Sequence, residues 1–153
     1  MNPSHPHYAS PGDRWLRARL EAGDLAVEGF DHRSHLRVGY VYLCEMPLEA
    51  AVREFRSALV RFLCQTVGDE ARYHETMTQA WLLAVHHFME ETEPCRCAQS
   101  FLIRNPELLN PSIMLTHYSP ALLHSETARH RFIEPDLQPI PPETGARTHS
   151  SPA

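Results

Sequence analysis

The chain has 153 residues, 42% of them hydrophobic, and a formal charge of −5, enough for one domain built on a single core. All 14 basic residues are arginine and none cluster, which argues against nucleic-acid binding and removes lysine Schiff-base and P-loop chemistry. None of the six glycines stands in a GxGxxG or GxSxG arrangement, and no apolar run approaches the roughly 18 residues of a membrane-spanning helix, so a dinucleotide turn, a nucleophile elbow and a membrane role are all excluded.

Met1 to Ser10 has neither a basic nor an apolar region, so no signal peptide is read there and the expected location is the cytoplasm. Residues 1–12 hold three prolines and are expected to be a disordered tail. A short helix is predicted from Asp13 to Gly23, with Trp15, Leu16 and Leu20 turned inward. Asp24 to Cys44 is helical in pattern, with a break at Gly29. Pro47 suits a first helical turn, and Leu48, Val52, Phe55, Leu59 and Phe62 then repeat at steps of four and three, which predicts an amphipathic helix to Thr66. Gly68-Asp69-Glu70 is read as the connection to the next helix, His74 to Glu91. Trp81, Leu82, Leu83, Ala84, Val85, Phe88 and Met89 cover almost its whole circumference, the pattern of a central helix.

A helix over Ala98 to Arg104 follows Pro94. Asn110-Pro111 and Ser119-Pro120 each open a further segment, the second expected to reach Phe132. Prolines 135, 139, 141 and 142 then force an extended stretch, with Leu137 and Ile140 available to dock. Residues 143–153 are expected to be a second disordered tail. No strand-period segment occurs. The predicted fold is therefore all-α: one compact helical bundle over residues 13–142, with an irregular, proline-punctuated C-terminal extension.

Histidine is the abundant chemical residue. His32 and His35 stand three apart and share a helical face with Leu36, Gly39, Tyr40 and Leu43, so both should point to the core. His74, at the start of its helix, is disfavoured as an imidazolium and should stay neutral. Three neutral imidazoles would suit a divalent transition metal (Zn, Fe, Cu, Mn or Ni), and Glu75 is the candidate catalytic base beside them. The alternative is a satisfied polar core, in which the same histidines bond to Tyr, Thr or carboxylate partners. His86 and His87 read as caps of a helix end. Cys44 and Cys64 sit in apolar helical patterns and read as buried free thiols, and Cys95 and Cys97 as reduced thiols on a loop, because a CxC pair without a second pair is a weak metal signal.

The ordered stretches Phe30-Asp31-His32-Arg33-Ser34-His35-Leu36, Tyr73-His74-Glu75-Thr76-Met77-Thr78 and Pro135-Asp136-Leu137-Gln138-Pro139-Ile140-Pro141 resemble the FDHxxHL, YHETxT and PDLxPxP motifs of a small bacterial all-helical family. The resemblance implies that the two histidine motifs belong to one site and supplies no reaction. Two functions are therefore expected in parallel. One is a metal-dependent enzyme acting on a small molecule through His32, His35, His74 and Glu75. The other is a non-catalytic helical binding or accessory protein whose polar core is structural.

Overall fold

Ser10 opens the first helix, α1 (Pro11–Ala22): its hydroxyl accepts from the Asp13 amide, and the Asp13 carboxylate accepts from the Ser10 amide. Pro11 occupies the first turn, where its missing N–H is not needed. The helix ends at Gly23, whose φ of 73° lets its amide turn back to the carbonyls of Arg19 and Leu20. In this computed structural model, which describes residues 6–66 and 73–140, the longer helices that follow are α2 (His32–Glu45), α3 (Leu48–Thr66) and α4 (Glu75–Glu91). Three short ones, α5 (Ala98–Arg104), α6 (Pro120–Leu123) and α7 (Glu126–His130), come after them. Short 3-10 segments lie at Val27–Gly29, Pro106–Leu109 and Pro111–Thr116. The described residues contain no strand, and the all-α expectation holds.

The helix at the centre is α2, not α4. It packs against α1, α3, α4 and α5, and Val38 through Leu43 are buried without interruption. Its tyrosines make that possible. The Tyr40 hydroxyl donates to the Tyr8 carbonyl at 2.7 Å, and that of Tyr42 to Glu21 at 2.5 Å, so two polar ring ends are satisfied inside the fold. Gly39 permits close packing: a Cβ there would stand 3.0 Å from Leu82 of α4 and 3.7 Å from Phe55 of α3. By contrast, Leu83, Ala84 and Phe88 of α4 are only partly buried.

The N-terminal segment departs from the expected tail. His7 and Ala9 are buried, and the His7 ring donates from Nε2 to the Met89 carbonyl at 2.9 Å while Nδ1 accepts from the Cys95 amide at 3.0 Å. The imidazole thereby ties this segment to the C-terminal end of α4. Asp13, buried and paired with Arg37 at 2.8 Å, also accepts from the Ala98 amide and so opens α5. Trp15, expected inward, is 61% exposed; Leu16 and Leu20 are the apolar residues that α1 buries, beside Asp13. The single helix expected from Ser119 to Phe132 is two, because Ser125 caps a new start by accepting from the Ala128 amide. Ile140 docks as expected, whereas Leu137 is 53% exposed and its segment is held by backbone bonds, its own amide donating to the His117 carbonyl. The expected connection at Gly68–Glu70 and the tail over 143–153 lie outside the described residues. Among the described residues no helix is long and apolar enough to cross a membrane.

Candidate functional site

Asp31 caps α2 by accepting from the Ser34 amide at 2.9 Å, which fixes His32 in the first turn and His35 one turn later. Both rings are half-buried on the inward face, as the spacing predicts. They meet different surroundings. His32 donates from Nε2 to the Leu108 carbonyl at 2.9 Å and stands edge-on to Trp81, with ring centroids 4.5 Å apart. His35 lies between the rings of Phe55 at 4.9 Å and Phe30 at 6.1 Å, and among the described residues no hydrogen bond reaches its imidazole. Burial, with a smaller contribution from His32 nearby, pushes the His35 pKa down to about 4. The ring is neutral at pH 7.

His74 is the N-cap of α4. Its Nδ1 accepts from the Met77 amide at 3.1 Å, and its Nε2 donates to the Leu123 carbonyl at 2.8 Å. These two partners assign the neutral Nε2–H tautomer and use up both ring nitrogens. Burial holds the His74 pKa below its ordinary value, outweighing the Leu123 bond that favours the charged form. Glu75, the expected base, is buried and saturated. Its carboxylate accepts from Arg56 at 2.9 and 3.1 Å, from the Tyr73 hydroxyl at 2.7 Å and from the Gln79 side-chain amide. Burial alone would raise its pKa, but these donors outweigh burial and hold the carboxyl below the ordinary range. Glu75 is an ionised anchor between α3 and α4.

Two adjoining concavities open on this region. The first, about 310 Å³, lies between α2, α3 and α4, and its walls include His35, Phe62, Tyr73, His74 and Thr78. The second, about 230 Å³, includes His32, Asp31 and Trp81. Phe30, His35 and Met77 belong to both. The structure therefore brings the three predicted histidines to one region and leaves Glu75 off both linings. It does not bring them together as ligands: among the described residues no group of three or more His, Cys, Asp or Glu side chains is arranged to hold a metal ion. The donor set does not fit one, because both nitrogens of His74 and Nε2 of His32 are already bonded.

Sequence reasoning missed the apolar walls. Met77 and Trp81 stand four apart on one face of α4, and that spacing was the available signal. It was masked by the apolar residues around the rest of the helix. No family model, curated protein or solved structure matches this chain.

Proposed function

We propose that this chain is a non-catalytic helical binding protein that takes a small molecule at the His35 pocket. One observation carries the reading. His35 is a desolvated, uncharged imidazole without a hydrogen-bond partner among the described residues, and it lines both concavities. An imidazole nitrogen that no protein group occupies and that borders an opening is available to a guest. An apolar pocket with one or two polar groups that fix orientation is the usual form of a small-molecule site. The metal-dependent reading is less well supported, because His32 and His74 would have to release the Leu108 and Leu123 carbonyls at roughly 1–3 kcal/mol for each buried group left unpaired. Cys44, Cys95 and Cys97 are free thiols and Cys64, expected buried, is exposed; the free thiols agree with a reducing compartment, and we place the protein in the cytoplasm.

The reading is tested by an amide NMR titration with a set of one- and two-ring aromatic molecules at about millimolar concentration, the weak-binding range. At least one should shift the amides of Phe30, His35, Met77 and Thr78 together and saturably. If every member leaves those amides in place, the binding reading is overturned.

A further inference from the structure

The same walls say what kind of molecule fits. A dry apolar cavity of about 150 Å³ holds one benzene ring. The larger concavity, at about 310 Å³, therefore suits one or two rings. Its surface is rich in aromatic carbon, with Phe30, Phe62 and Tyr73 contributing rings and Met77 a soft thioether that adapts to a flat guest. The charge environment narrows the class further. None of the described residues lining either concavity is an arginine, and the chain has no lysine, so among the described residues an anionic guest finds no counter-charge on these walls. Asp31, on the lining of the second concavity, adds a carboxylate that repels one.

The polar contact is then His35. A neutral imidazole presents one N–H donor and one bare nitrogen acceptor. Whichever nitrogen faces the cavity, a hydroxyl can answer it, because a hydroxyl both donates and accepts. The other polar groups of this wall already have partners: His74 is committed to Met77 and Leu123, the Tyr73 hydroxyl to Glu75, and the buried Thr78 hydroxyl lies against Tyr73. We infer that the pocket takes an uncharged one- or two-ring aromatic molecule whose single hydroxyl hydrogen-bonds the His35 imidazole, an assignment that rests on the binding reading above. Such a guest supplies the partner that His35 lacks and leaves the apolar walls in contact with ring carbon.

Three matched probes test it on the full-length protein: 2-naphthol, 2-methylnaphthalene and 2-naphthoate, each titrated by amide NMR. The hydroxyl should bind about tenfold tighter than the methyl isostere, the ratio one net hydrogen bond supplies, and the carboxylate should bind more weakly than the hydroxyl. In wild-type protein the His35 imidazole ¹⁵N resonances should move with 2-naphthol and stay in place with 2-methylnaphthalene, a readout that needs no variant. The His35→Leu variant should bind 2-naphthol and 2-methylnaphthalene equally. Pocket amides that move with equal affinity for hydroxyl and methyl probes in wild-type protein would overturn the hydroxyl assignment and leave the binding reading standing. Tightest binding by 2-naphthoate would overturn the neutral-guest assignment. Pocket amides unmoved by all three would overturn the ligand class and the binding reading together.

Discussion

Phe55→Ala should destabilise the protein by roughly 3–5 kcal/mol, the cost of truncating a large aromatic in a core that cannot collapse around the gap. Phe55 has no accessible surface. Its ring packs on Tyr42 at 5.6 Å and His35 at 4.9 Å, and it lies beside Gly39 of α2, where an added Cβ would stand 3.7 Å from it. Removing it leaves a void in the core that α2, α3 and α4 share. For a chain of this length each kcal/mol lowers Tm by about 2–4 °C, so a drop on the order of 10 °C is expected in calorimetry. The paired control is Ile103→Ala, at a residue 67% exposed, which should change stability by less than about 0.5 kcal/mol. A Phe55→Ala protein within about 1 kcal/mol of wild type would contradict the packing around α2.

Stability should also fall steeply as pH drops from 6.5 towards 4, and His35 should be the main cause. The unfolded chain takes up a proton near the ordinary histidine value of 6.5, whereas the folded protein resists protonation until about pH 4. Between those values the unfolded state binds more protons, so stability rises with pH, is fully present above 6.5 and is lost as pH falls through the window. The full difference corresponds to about 3 kcal/mol. His74, also held below its ordinary value by burial, adds in the same direction. Asp13 and Glu75 have depressed pKa values, so their contributions are present above the unfolded carboxylate range and disappear only at still lower pH. Urea denaturation at pH 7, 5.5 and 4.5 separates these groups: the wild-type slope should be largely abolished in His35→Leu. Parallel slopes for the two proteins would show that His35 is not the desolvated group.

What the sequence made legible was what local pattern controls. The amphipathic repeat from Leu48 and the stop at Pro94 placed α3 and α5 with the bounds they have. The three-residue spacing of His32 and His35 put both rings on the inward face, and His74 stands at its helix start, although burial rather than the helix end is what lowers its pKa. What stayed hidden depends on partners distant in the chain. His32 bonds to a carbonyl 76 residues away and His74 to one 49 residues away, and no helical periodicity reports such pairs. A histidine N-cap lies outside the usual Ser, Thr, Asp and Asn set, so the bond from Met77 that occupies Nδ1 had no sequence signature. His7 sits among prolines that look like a tail, and only its two bonds across 82 and 88 residues make it part of the core. The centrality of α2 was concealed by tyrosine hydroxyls and Gly39, which lower apparent hydropathy although every one of those residues is buried.

The most direct measurement is imidazole ¹⁵N NMR of the wild-type protein, before and after one equivalent of Zn²⁺, a diamagnetic ion well suited to histidine ligands. His74 should show the neutral Nε2–H pattern through neutral pH and His35 an uncharged ring titrating near pH 4, and neither pattern should change when the metal is added. Simultaneous shifts of His32, His35 and His74 that saturate at one equivalent of Zn²⁺ would contradict the binding-protein reading and establish a three-histidine metal centre in its place.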